Sequence, residues 1–207
     1  MKYRLIIILI LLSAPLLTAC GNNGQATQEY LEILQSGTYT LSGDGVYEGV
    51  HSIVLEYVDG ENFNFRYRNS NDSNFRFLYS DGVMYRVLDG LQLYAQSPEN
   101  LPPHNMVSNM IDYDYNSAVY TDSGKQTVQG TTYKYDAYTL NKKDGEKSTL
   151  NIYTNPEGGL YAIAMPEESI VITLNQLSPG VPEEIPLTIP EGFQEVDYDQ
   201  LDSHSEL

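Results

Sequence analysis

Turn-forming dipeptides punctuate short runs in which apolar and polar residues alternate, and this pattern restricts the chain to antiparallel sheet. Ile53, Leu55 and Tyr57 lead into Asp59-Gly60, and Phe63, Phe65 and Tyr67 lead away, interleaved with Asn62, Asn64, Arg66 and Arg68. An apolar side chain at every second position suits a strand with one buried face, and Asp-Gly accepts the positive φ that tight hairpins need. The grammar repeats. Phe75, Phe77 and Tyr79 reach Ser80-Asp81-Gly82, and Val83, Tyr85 and Val87 leave it for Asp89-Gly90, Leu91 and Leu93. Tyr133, Tyr135 and Ala137 precede a polar turn at 141–145, and Leu150 and Ile152 run into Asn155-Pro156-Glu157-Gly158-Gly159. Tyr161, Ile163 and Met165 then reach Pro166-Glu167-Glu168, followed by Ile170, Ile172 and Leu174. This predicts about nine to eleven strands of ordinary length. With no crossover helices between them, the strands must pair as consecutive hairpins with one apolar and one wet face.

Two short helices interrupt the strands. Tyr30, Leu31 and Leu34 recur at helical spacing over 28–35, and Gly37 stands where a helix end tolerates the left-handed conformation. Over 102–111, Pro102 and Pro103 suit a first turn, and Met106, Val107, Met110 and Ile111 form one apolar stripe. The expected class is mainly β with short helices, an α+β arrangement.

The first twenty residues read as an address. Lys2 and Arg4 precede the apolar run Leu5 to Leu12, and small residues follow before Leu17-Thr18-Ala19-Cys20. A positive start, a short apolar core and small residues at a cut site make a secretory signal. The apolar stretch, interrupted by Pro15, is too short for a spanning helix, which needs about 20 residues. Leu17-Thr18-Ala19-Cys20 matches the bacterial lipobox, and Cys20, the sole cysteine, has no partner for an internal disulfide. Its thiol is the expected attachment point for diacylglycerol, and two or more acyl chains hold a protein stably where one does not. The expected organisation is a leader over 1–19, the lipidated Cys20 with a flexible tether over 20–27, one domain over 28–200 and an acidic tail over 201–207. The membrane is then a partner through the anchor, and the expected location is extracytoplasmic.

Charge and missing motifs narrow the function. Lys and Arg number 11 against 28 Asp and Glu, for a formal charge of −17, and loss of Lys2 and Arg4 with the leader makes it more negative still. Nucleic acid is excluded as a partner, because its binding rests on basic side chains displacing counterions. His51, His104 and His204 are not in zinc-binding spacing, and no Gly-x-Ser-x-Gly elbow, phosphate loop or Cys-His pairing occurs. His51 opens a strand, where a solvent-facing role is expected. Asp112-Tyr113-Asp114-Tyr115-Asn116 starts like a calcium loop, but Ser117 and Ser123 occupy the positions that need Gly and a bidentate Glu. It reads as a polar helix exit. The expectation is no enzyme, no cofactor and no metal.

A lipobox, a short helix, a long meander, a Met-bearing helix, further hairpins and the closing segment Ile185-Pro186-Leu187-Thr188-Ile189-Pro190-Glu191-Gly192-Phe193 together resemble the LolA/LppX-like lipoprotein carriers. The Ile-Pro-x-Gly-Phe phrase and the Leu150-Asn151-Ile152-Tyr153 strand stand nearest to motifs. The resemblance implies a strongly curved antiparallel sheet, an open half-barrel with helices on the concave face and acyl chains between them. It supplies no catalytic residues. Unbranched, polarizable Met side chains suit variable acyl shapes, so Phe65, Phe77, Met84, Tyr85, Met106 and Met110 are the candidate lining.

Two functions follow as expectations. The first is a lipid-anchored binder or carrier of an apolar ligand, a lipid or lipoprotein acyl chain. The alternative is a surface-anchored interaction module with a filled core, whose many Tyr side chains contact another envelope protein.

Overall fold

The computed structural model describes residues 26–47, 50–69, 75–98 and 113–204. Cys20, Met106, Met110 and the helix expected over 102–111 lie outside them. Helix α1 (Gln28–Gln35) is followed by β1 (Thr38–Tyr47), β2 (Val50–Asp59), β3 (Asn62–Asn69), β4 (Phe75–Ser80), β5 (Val83–Leu88) and β6 (Leu93–Gln96). Then come β7 (Tyr113–Val128), β8 (Thr131–Lys142), β9 (Lys147–Thr154), β10 (Leu160–Met165), β11 (Ile170–Pro179), β12 (Gln194–Glu195) and α2 (Tyr198–His204).

All twelve strands form one sheet, in the order β12-β6-β5-β4-β3-β2-β1-β11-β10-β9-β8-β7. Two meanders, β1–β6 and β7–β11, are joined where β1 pairs antiparallel with β11. Local turn chemistry builds each meander. Asp81 and Gly82 both take positive φ, 52° and 79°, as a two-residue hairpin turn requires, and Gln129-Gly130 repeats this between β7 and β8. Two strands carry little sequence signal. Gly43 and Gly45 interrupt the alternation of β1, and β12 is two residues long.

The sheet is open and curved. Five strands separate β2 from β7, which in a flat sheet would put them about 29 Å apart at ~4.8 Å per strand. Yet Tyr115 of β7 packs into the same core as Val54 and Val58 of β2, and the charge of Glu56 on β2 reaches Tyr115. Only a curled sheet brings them together. A wide bulge sharpens the approach: between the pairs Asp114–Asn141 and Val119–Thr139, four residues of β7 oppose one of β8. Bulges re-aim side chains in this way. Asp114 accepts the Asn116 N–H (3.1 Å), and Ser117 Oγ donates to the Asp114 carbonyl (2.6 Å). Asp114, expected in a polar helix exit, thus belongs to a strand.

One apolar cluster runs along the inner face from Phe77 and Met84 through Phe65, Val54, Leu41, Ile172, Ile163, Ile152 and Tyr138 to Tyr115. Helix α1 packs against it with Leu31 and Leu34. Gln35 Nε2 donates to the Tyr115 carbonyl (3.1 Å) and the Leu160 N–H donates to Tyr30 Oη (3.1 Å), tying α1 to β7 and β10. Thr27, expected in the flexible tether, is buried: its hydroxyl donates to Asp136 Oδ2 (2.9 Å) and shares a hydrogen bond with Tyr138 Oη (2.7 Å).

At the β3–β6 end the C-terminal segment packs against the sheet and extends its edge. Asn64 Nδ2 donates to the Pro186 carbonyl (2.7 Å), β12 adds in parallel to β6, and the Gln194 N–H donates to the Gln92 carbonyl (2.9 Å). Leu201 of α2 is fully buried, so the packed domain runs through the boundary expected at residue 200.

Candidate functional site

The inner face around β2 is the candidate site. In β2 the buried side chains are Val54, Glu56 and Val58, while Ile53 is exposed and Leu55 and Tyr57 are half-buried. The alternation is therefore in the opposite phase from that suggested by Ile53, Leu55 and Tyr57. Over 53–58 both phases of this strand are apolar except at Glu56, so local hydrophobicity could not choose between them.

Register places Glu56 opposite Leu41 on β1 and Phe65 on β3. Phe65 stacks on Phe77 at 4.9 Å between ring centroids, and Phe63 on Tyr79 at 5.1 Å. Tyr39 of β1 and Tyr115 of β7 complete the surroundings, since the charge of Glu56 reaches the hydroxyl of each. Glu56 is wholly buried, and among the described residues neither carboxylate oxygen has a hydrogen-bond partner. Burial, which penalises the charged form, pushes its pKa up to about 8. Burial first, and then the Glu56 charge, raises Tyr39 and Tyr115 well above the ordinary tyrosine value.

Other acids beside this face are provided for. Asp136 receives the Thr27 hydroxyl. Glu168 binds Lys142 Nζ at 2.7 Å and the Ser148 hydroxyl at 3.0 Å. Burial tends to raise Glu168, but hydrogen bonds from Lys142, Tyr113 and Ser148 outweigh it and hold the carboxyl below its usual range. Glu56 stands apart in having no donor.

Of the expected lining, Phe65, Phe77 and Met84 come together in the inner cluster. Tyr85 does not join them. Adjacent residues of a strand point to opposite faces, so with Met84 inward Tyr85 lies outward, edge-on to Tyr94 at 5.9 Å. The residues that the sequence reading missed are Glu56, Tyr39 and Tyr115. The available signal was a lone acid inside Val54-Leu55-Glu56-Tyr57-Val58, which a strand with one wet face explains equally well. His51 is exposed. Among the described residues no three His, Cys, Asp or Glu side chains converge as a metal site, and no helix is long and apolar enough to cross a membrane.

No protein-family model matches the chain, and no curated protein matches it by sequence. Solved structures similar to it include an uncharacterized conserved protein from Thermus thermophilus, with TM-score 0.43 and 10% identity over 84% of this chain and 99% of that one. The Mycobacterium tuberculosis lipoprotein LppX aligns with TM-score 0.40 and 11% identity over 79% of this chain and 96% of its own. MucB aligns with TM-score 0.38 and 12% identity over 84% of this chain and 64% of its own.

Proposed function

We propose that this chain is a lipid-anchored extracytoplasmic bacterial protein that binds an apolar ligand, a lipid or acyl chain, against the inner face of its curved sheet, as a LolA/LppX-like carrier would. The observation that carries the reading is the curl: the edge strand β7 folds over β2, and apolar and aromatic side chains pave the face between. Such a face binds by removing acyl surface from water, at about 25 cal/mol per Å² before ordering costs are subtracted. The anchor rests on Lys2, Arg4, the apolar run and Leu17-Thr18-Ala19-Cys20. No reaction, metal or cofactor belongs to this function.

The chain from Asn22 onward contains every described element and should co-purify with lipid, seen as discrete added mass under native ionisation. A clean protein mass that stays unchanged after incubation with acyl lipids would end the carrier reading. Separately, Cys20→Ala should move the full-length protein out of the membrane fraction; unchanged partitioning removes the anchor.

A second reading has its own observation. On the outward face Tyr133 stacks on Tyr161 with centroids 3.8 Å apart, and Tyr135 tilts against Tyr153 at 5.4 Å. Half-buried, ordered tyrosines lose little entropy on contact and suit an envelope protein partner. Cross-linking from this face to a second protein with no bound lipid would favour it.

A further inference from the structure

The carrier reading leaves the ligand's polar end undefined, and the inner face holds one group that this end could satisfy. We propose that Glu56 is the head-group anchor of the site, and that the ligand it selects carries a primary amine on an apolar tail. The inference rests on the carrier function and adds the class of ligand.

Glu56 lies mid-strand on the inner face, wholly buried, between Leu41 and Phe65, with both oxygens lacking a donor among the described residues. A buried polar group without a partner costs stability, and native folds pair such groups almost without exception. This fold does so for the other acids bordering the face: Thr27 serves Asp136, and Lys142 and Ser148 serve Glu168. Among these acids Glu56 alone has neither oxygen served by the described residues, and a donor from outside the chain would meet it.

Chemistry selects the donor. A carboxylic-acid head would face a second carboxyl, and the two repel once either ionises. A hydroxyl supplies a single hydrogen. An ammonium supplies three donors and a positive charge, and a buried carboxylate is compensated only by a paired, hydrogen-bonded counter-charge. The net charge of −17 also draws cations toward the protein. Around the carboxyl, Phe65 and Phe77 present ring surface to a tail, and Tyr39 and Tyr115 border the head. Tyr115 sits on the bulge of β7, and its carbonyl is held by Gln35 of α1.

Binding an amine this way converts Glu56 from acid to carboxylate, because the ammonium favours the charged form. The carboxyl proton leaves to solvent while the amine keeps its own. The experiment is titration calorimetry of the chain from Asn22 with decylamine, decanol and decanoate, at about pH 6.5 in two buffers of different ionisation enthalpy. Decylamine should bind at least about tenfold more tightly than either analogue and release close to one proton per molecule bound. Glu56→Gln, uncharged and of the same shape, should remain folded, lose the preference and release no proton. Equal affinity for all three ligands, or amine binding without proton release, overturns the anchor while leaving the carrier function standing. If none of the three binds, both fall.

Discussion

Replacing Glu56 with Gln should stabilise the fold by an amount that depends on pH. In the folded chain burial lifts the Glu56 carboxyl from its ordinary 4.5 to about 8. Between these values the folded state holds a proton that the unfolded chain releases. Stability is therefore undiminished below the unfolded pKa and is lost as pH rises toward the folded one, by up to about 1.4 kcal/mol per pH unit. The loss is below about 1 kcal/mol near pH 5, about 3 kcal/mol at pH 7, and levels off near about 5 kcal/mol above pH 8. Gln has no proton to give up, so its own buried amide adds an offset that is the same at every pH. Tyr39 and Tyr115, the ionisable groups that face Glu56 from β1 and β7, are both raised and stay neutral throughout this window. Every other acid titrates alike in the two proteins and cancels in the difference. The gap between variant and parent should thus widen by about 2–3 kcal/mol from pH 5 to pH 7. In a domain of this size that is a change of roughly 5–10 °C in the difference between their melting temperatures. Thermal unfolding followed by circular dichroism across this range measures it directly. A gap that stays constant with pH would show that Glu56 is solvated or paired in solution, and the reasoning about the site would fail with it.

Asp89 holds the buried guanidinium of Arg76 through Nε and Nη2, at 3.1 and 2.7 Å to Oδ1, while its contact with Arg66 is exposed. Asp89→Ala should cost about 2–4 kcal/mol in urea unfolding by stranding Arg76, and Arg66→Ala less than about 1 kcal/mol; equal losses would contradict the assignment. At Gly43, beside the bulge in β1, an added Cβ would collide with the Thr173 carbonyl oxygen, whereas Gly90 has open space around it. Gly43→Ala should destabilise by about 2–3 kcal/mol and Gly90→Ala should be close to neutral, both read from the urea midpoint. Because Glu168 is held below its usual range, its contribution is present above the unfolded carboxylate pKa and lost as pH falls through the folded one. Lys142→Met should flatten that acid limb of the stability curve; an unchanged acid transition would show that the pair contributes nothing.

Much of the framework was legible in the sequence because it is local. The α1 boundaries follow from Leu31, Leu34 and Gly37, and the β4–β5 hairpin from Asp81-Gly82, each acting through its own backbone conformation. The inward placement of Phe63, Phe65 and Phe77 follows from alternation against polar neighbours. Strand β1 was not legible, because its glycines erase the pattern and its pairing with β11 joins residues far apart in sequence. The C-terminal helix was hidden by its acidic composition, and its packing on β6 accompanies the burial of Leu201.

Alternation and turn residues, whose energetics play out within a few residues, determined by themselves that this chain is a run of antiparallel hairpins. Which face of β2 turns inward, and with it the burial of Glu56, was decided only when the sheet curled and β7 came over it. Both phases of that strand are apolar enough to bury, and the choice lies in its tertiary surroundings, where the charge of Glu56 reaches Tyr39 on the adjacent strand and Tyr115 five strands beyond it.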